Sequence, residues 1–279
     1  APGSRDTELL HPVAGAKWIN GVTLTGGSVF GLDSSGGVIR YLEEQGIGIQ
    51  MGRIRIPLVP SAVIFDLGFI NHRVRPGFDD GYAAAKSASV EFKTGSVGAG
   101  TGATAAKLLG QMFSIKGGIG TASVEVSNGA TVGALMVVNA IGDVVNPDTG
   151  ETVAGPLTEN GFDNSVELMI KTPSKDTGFF RNTTVGIVAT DAKLDKVGAT
   201  RLAMAGQDGI ALAIRPAHTA NDGDTIFGLS TGTHTEHTSG DTLHAAALKA
   251  VPEAIMNAID SAETLGGVLS AKEAKARFV

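Results

Sequence analysis

The architecture turns on Arg181-Asn182-Thr183-Thr184-Val185-Gly186-Ile187-Val188-Ala189. Val185 to Ala189 is a short apolar run rich in β-branched residues, which predicts a buried strand beginning at Thr183. Upstream, residues 151–182 are polar, with Pro156, Pro173 and isolated glycines, and read as a loop or linker. Downstream, Leu194 to Ile214 reads as a helix stopped by Arg215-Pro216, Thr225 to Ser230 as a strand, and Leu243 to Ala262 as a helix bent near Pro252. Toward the N-terminus, Ser28 to Leu42 predicts a helix closed by Gly46, Ala62 to Phe65 a buried strand, and Phe78 to Ser89 a helix opened by Asp79 and Asp80. Asn128-Gly129, between Val124-Glu125-Val126 and Ala134 to Val138, is the strongest hairpin signal in the chain, and Asn146 to Gly150 is a further turn. Strands and long helices alternate on both sides of the linker, without an internal repeat, so the class is α/β.

Composition narrows the chemistry. The 279 residues are enough for one large domain or two modest ones. With 22 Lys and Arg against 28 Asp and Glu, the chain carries −6 and no basic stripe, so neither nucleic acid nor an anionic membrane is an expected partner. No apolar run approaches the roughly 20 residues of a membrane span, and no charged region followed by an apolar stretch marks a secretory signal. A cytoplasmic protein is the expectation, although the chain begins with Ala1 rather than Met. Cysteine is absent, which removes disulfides, thiolate zinc sites, iron–sulfur ligation and a cysteine nucleophile. Glycine, at 39 residues, is about twice its usual share of roughly 7%, as expected of many tight turns in a globular chain.

Four stretches carry chemistry. Gly98-Ala99-Gly100-Thr101-Gly102 suggests nucleotide binding, but it lacks the third glycine of the dinucleotide fingerprint, and no Gly-Lys-Ser/Thr surrounds Lys107. His234-Thr235-Glu236-His237 has spacing a metal could use but no third ligand nearby, and reads as a solvated loop; no metal and no cofactor are expected. At Asn182-Thr183 a plain polar strand start competes with a self-cleavage site. In the second reading the Thr183 hydroxyl attacks the preceding carbonyl, and hydrolysis of the ester frees an α-amine. With a reference pKa of about 7.7–8.0, that amine can act as base for its own hydroxyl. Asp222-Gly223-Asp224 is either an ordinary turn or, by its i, i+2 spacing in extended chain, a pair of carboxylates converging on a nucleophile.

Six segments, in this order and covering almost the whole chain, resemble the DmpA-type aminopeptidase family of self-processing N-terminal-nucleophile hydrolases, and most closely its nylon-oligomer hydrolase (NylC-like) branch. They are Leu24-Thr25-Gly26-Gly27-Ser28, Gly98 to Thr104, Lys116-Gly117-Gly118-Ile119-Gly120, Val137-Val138-Asn139-Ala140, Asn182-Thr183-Thr184 and Asp222-Gly223-Asp224-Thr225. The resemblance implies a four-layer αββα sandwich, with residues 1–182 and 183–279 as α and β pieces of one domain. It implies Thr183 as nucleophile, Asn139 as oxyanion support, Lys107 as an active-site lysine, and Asp222 and Asp224 as the branch's acidic pair. Phe65 falls where that branch has a tyrosine, and a phenyl ring cannot donate the tyrosine's hydrogen bond. Ala1 to Leu10 resembles a segment that relatives carry well inside the chain, so their first strands are expected to be missing and a sheet edge unpaired. The resulting expectation is an amidohydrolase or aminopeptidase cut at Asn182–Thr183, acting on linear amides such as 6-aminohexanoate oligomers or amino-terminal peptide amides. A homo-oligomer of αβ units is expected. Two alternatives stand beside it: an acyltransferase of the ornithine-acetyltransferase type, and a truncated homologue that never matures.

Overall fold

The computed structural model describes residues 2–172 and 182–278. Ala1, and the part of the expected linker that holds Pro173 and Arg181, lie outside the described residues. Strands β1 (Gly3–Arg5), β2 (Thr23–Thr25) and β3 (Ser61–Val63) form one small sheet in the order β1-β3-β2. Strands β4 (Ile119–Glu125), β5 (Thr131–Asn139), β6 (Thr183–Thr190) and β7 (Thr225–Ser230) form a larger sheet in the order β7-β6-β5-β4. Within it β6 runs parallel to β7 and antiparallel to β5. The β4–β5 hairpin turns where Asn128-Gly129 predicts it, with Gly129 at φ 83°. The four longest helices among the described residues are α1 (Ser34–Glu44), α2 (Phe78–Lys86), α3 (Lys196–Ala213) and α4 (Gly240–Asp260).

Residue alternation assigns the layers. Val132, Ala134, Met136 and Val138 of β5 pack into one core with Val188 of β6, Leu202, Ala205 and Ile210 of α3, and Val251, Ala254 and Ile255 of α4. The opposite face carries Val137, Val185 and Phe227, which pack against Ala62 and Ile64 from the smaller sheet. Each fully buried Val, Leu, Ile, Phe or Met among them contributes roughly 1.5–3 kcal/mol. Helices α3 and α4 approach the larger sheet closely because glycines face them: a Cβ at Gly228 would lie 2.0 Å from Ala199 O, and one at Gly120 2.1 Å from Ala254 O. Helices α1 and α2 pair through Gly37 and Gly81, and α1 contacts β2 on the far side of the small sheet. The order is therefore helix, sheet, sheet, helix. This is the four-layer αββα sandwich.

The segment 151–172 is more ordered than a loop. Thr152–Ala154 pairs with Asp143–Val145, which pairs in turn with Ile214–Arg215 just after α3. Leu157–Thr158 and Gly161–Phe162 form a hairpin, and the helix Ser165–Lys171 starts at Asn164, whose side chain accepts the Glu167 N–H at 3.0 Å. Elements of two to seven residues are too short to leave a period in the sequence, and their pairing depends on distant partners. In the small sheet, β1 and β2 are the edges, each only three residues long, a length that limits strand addition.

Candidate active site

Thr183 opens the central strand β6. Side chains along a strand alternate, so Thr183 shares its face with Val185 and Ile187, toward the smaller sheet. The β5–β6 register sets Val185 opposite Val137 and Thr183 opposite Asn139. Both polar residues thus lie in the layer between the sheets, where Thr183 is 5% and Asn139 1% exposed.

Asn139 is held from four directions. Its Oδ1 accepts from Lys107 Nζ at 2.8 Å and from the Thr104 N–H at 3.2 Å; its main-chain oxygen accepts from Lys107 Nζ at 3.0 Å; its Nδ2 donates to Phe65 O at 3.0 Å. These partners fix which way the amide points and leave one of its two N–H hydrogens available. Phe65 therefore enters the site through its backbone carbonyl. Lys107 follows Ala106, a non-glycine residue at φ 56°, and is itself only 4% exposed. Burial lowers the Lys107 pKa from 10.5 to about 7, against the opposing pull of Asp222 and Asp66.

The acidic segment runs beside the strand start. Asp222 bridges to Asn182, and the Gly223 N–H donates to Asn182 O at 2.9 Å. Asp222 Oδ2 accepts the Thr219 N–H at 2.7 Å, and burial, followed by repulsion from Asp224, raises its pKa above 3.8. Asp224 Oδ1 accepts the Thr184 N–H at 2.7 Å. The i, i+2 spacing does bring both carboxylates to the head of β6, but each is tied to a different backbone N–H. The peptide units before and after Thr183 are consequently each held by this segment, the first at the Asn182 carbonyl and the second at the Thr184 N–H.

Three further residues belong to this neighbourhood: Lys116, which opens one of the six segments, Asp66, and His218, which carries no local sequence signal. His218 Nδ1 lies 2.9 Å from Asp224 Oδ2. Lys116 is fully buried and donates to Gly100 O, Ala103 O and Gly117 O at 2.7–2.8 Å; burial lowers its pKa to about 7. Asp66, next to Phe65, accepts the Gly27 N–H at 2.7 Å, and burial raises its pKa. A carboxylate directly after a buried strand was the one available hint for Asp66. Its side chain borders a cavity of about 530 Å³ between the glycine segments at Gly26 and at Gly98–Gly102. Thr183 does not line that cavity. Gly102 of the Gly98–Gly102 segment thus packs against the Asp66 carboxylate, which a Cβ there would meet at 2.1 Å. His234 and His237 lie in a loop apart from this site, and among the described residues no three His, Asp or Glu side chains are arranged to hold a metal ion. Among the same residues no helix is long and apolar enough to cross a membrane.

The chain as a whole is similar to several known proteins. The chain is 39% identical over 298 aligned positions to an uncharacterized aminopeptidase of Mycobacterium leprae, covering 96% of this chain and 78% of that one. It is 28% identical over 228 positions to the 6-aminohexanoate-oligomer endohydrolase of Paenarthrobacter ureafaciens, covering 78% of this chain and 62% of that one. Among solved structures, the L-aminopeptidase D-Ala-esterase/amidase of Ochrobactrum anthropi, described as a variant of the Ntn-hydrolase fold, superposes with a TM-score of 0.59 at 21% identity, over 88% of this chain and 70% of that one. With residues 1–272 matching Peptidase family S58, the chain belongs to that family and is a hydrolase of the N-terminal-nucleophile fold.

Proposed function

We propose that the chain cuts itself between Asn182 and Thr183 and that Thr183 then hydrolyses amide bonds in small, amine-bearing substrates. The observation that carries this reading is the position of Thr183: buried at a strand head, opposite an Asn139 locked by Lys107, with Asp224 on the next N–H. In maturation, Thr183 Oγ attacks the Asn182 carbonyl carbon, its proton passes to the departing amide nitrogen, and water cleaves the ester to leave a carboxylate on Asn182 and a free amine on Thr183. In turnover, that amine takes the Oγ proton as Oγ adds to the substrate carbonyl, and returns it to the leaving amine; water then releases the acyl group. The spare Asn139 N–H is the candidate donor to the oxyanion.

Neighbouring carboxylates raise an amine's pKa and so work against a neutral base. Two features limit that effect here. Burial raises the Asp222 pKa, and Asp224 is already engaged by His218 and the Thr184 N–H. The aminopeptidase relatives favour substrates with a free amino terminus, and the endohydrolase relative keeps linear ω-amino amides in view. Residues 1–182 and 183–279 would remain together as one domain, and a homo-oligomer of such units is part of the proposal.

Intact mass and a denaturing gel test the maturation step. Wild type should give pieces of 182 and 97 residues (279 less 182), and Thr183→Ala a single chain. An uncut wild type, or a cleanly cut Thr183→Ala, would overturn the reading. Matured enzyme is then given 6-aminohexanoate oligomers, β-amino amides and α-aminoacyl p-nitroanilides. Hydrolysis is expected, whereas acyl transfer to an added amino acid without hydrolysis would make the protein an acyltransferase.

A further inference from the structure

We propose that His218 is a positioning residue for the Thr183 site, acting as an imidazolium that clamps Asp224 onto the Thr184 N–H. The inference rests on the reading of Thr183 as nucleophile.

Both ring nitrogens of His218 face oxygens that can only accept. Nδ1 lies 2.9 Å from Asp224 Oδ2, and Nε2 lies 3.2 Å from the main-chain oxygen of Gln207 on α3. A neutral imidazole has one N–H, so it would turn a lone pair toward one of these oxygens; the protonated ring donates to both. The His218 backbone N–H also points at Asp224 Oδ2, at 3.3 Å. His218 holds φ at 57°, a region unfavourable for a residue with a side chain, which such side-chain ties can maintain.

The charged groups acting on the ring are Asp224 and Asp222 from its own turn; α3 presents the Gln207 carbonyl. The hydrogen bond that His218 donates to Asp224 is the largest influence and raises the His218 pKa above 6.5, with burial opposing. The side chain is 38% exposed, so protons exchange readily with solvent. A histidine whose folded pKa is raised contributes fully below about 6.5 and loses its contribution as pH rises through the folded value.

The link to chemistry runs through the backbone. Asp224 Oδ1 takes the Thr184 N–H, the first donor after the proposed nucleophile, and so fixes the peptide plane that begins at the Thr183 α-carbon, the atom from which both the amine and the hydroxyl side chain extend. Losing the His218 proton turns one ring contact repulsive and loosens the carboxylate. The proposed enzyme should therefore slow on the alkaline side for a reason separate from its own amine.

Two measurements on the matured protein test this. In an NMR titration of ¹³C-labelled histidine rings, with His218→Gln assigning the resonance, the His218 midpoint should lie above 6.5 and return toward 6.5 in Asp224→Asn. A wild-type midpoint at or below 6.5, or no change in Asp224→Asn, would overturn the clamp. In turnover of alanine p-nitroanilide, His218→Gln should lower kcat at pH 7 about ten- to a hundredfold, the range for small misplacements of reacting groups, with KM little changed. His218→Arg, a permanent cation, should recover most of that rate and lack the alkaline fall assigned to His218. Wild-type kcat and pH profile in His218→Gln would overturn the positioning role. Intact mass separates the two failures: an uncut chain sinks the nucleophile reading, whereas a cut chain with an ordinary His218 titration sinks only this one.

Discussion

Replacing Lys107 by methionine should disable the site while leaving the fold nearly as stable at pH 7. Two terms of opposite sign decide this. The side chain donates two buried hydrogen bonds to Asn139, at 2.8 and 3.0 Å, and losing buried bonds costs about 1–3 kcal/mol each. Against that, burial lowers the Lys107 pKa from 10.5 to about 7, and at 1.36 kcal/mol per unit this shift is a penalty of about 4–5 kcal/mol that methionine of similar shape does not incur. The terms nearly cancel, so the melting temperature should move by no more than about 5 °C at pH 7. The sign can be tested by pH. A lysine whose folded pKa is depressed binds fewer protons when folded, so wild type gains stability as pH rises from about 7 to 10.5, a gain the variant lacks. The variant should thus match wild type near pH 7 and fall behind by pH 9 in thermal melts. Activity should fall about 10²- to 10³-fold, as when an oxyanion donor is lost, because the Asn139 amide loses the Lys107 anchor that aims it. A variant that loses more than about 5 kcal/mol at pH 7, or a cut and fully active one, would refute this reasoning.

Two further outcomes follow from the packing. Burial raises the Asp143 pKa from 3.8 to about 6 even though it accepts the Ser165 N–H and hydroxyl, so its charged form weakens the fold above that pH. Asp143→Asn should be more stable in urea at pH 7 by up to about 3 kcal/mol, with the difference closing as pH falls toward 4, where wild type is protonated too. An unchanged or lower urea midpoint at pH 7 would contradict the stated cause. Gly228→Ala should lose about 1–3 kcal/mol or more, because its Cβ would meet Ala199 O at 2.0 Å and push α3 off the sheet; an unchanged melting temperature would show that the helix yields freely.

Long elements with a continuous apolar character were legible in the sequence. Thr183–Thr190 and Thr225–Ser230 begin where the sequence places them, and α3 and α4 differ from the reading by a few residues at their ends. The short elements between 151 and 172 were not, since two or three residues per strand leave no alternation to detect. At the site, Thr183, Asn139, Lys107, Asp222 and Asp224 could be named, but what holds them is largely main chain. Phe65 contributes a carbonyl, Thr104 and Thr184 contribute N–H groups, and Gln207 a helix carbonyl, none of which depends on side-chain identity. His218 has no motif around it; its one tie to the site is a carboxylate six residues on, visible only once the turn is built.

The pairing of Thr183 with Asn139 raises a sharper question, because β5 and β6 are buried on both faces and their apolar pattern alone does not say which residues oppose each other. Glycine settles it. Gly186 lies opposite Met136, and a Cβ there would come within 2.3 Å of the Met136 sulfur, so the methionine occupies space that glycine alone leaves open. Sliding the strands by one residue would set Val185 or Ile187 against Met136 and turn each partner's side chain to the other face. Thr183 would then pair with an apolar neighbour of Asn139 and leave the layer between the sheets. A glycine three residues into the strand therefore fixes where the hydroxyl meets the amide, and the site depends on core packing as much as on its polar residues.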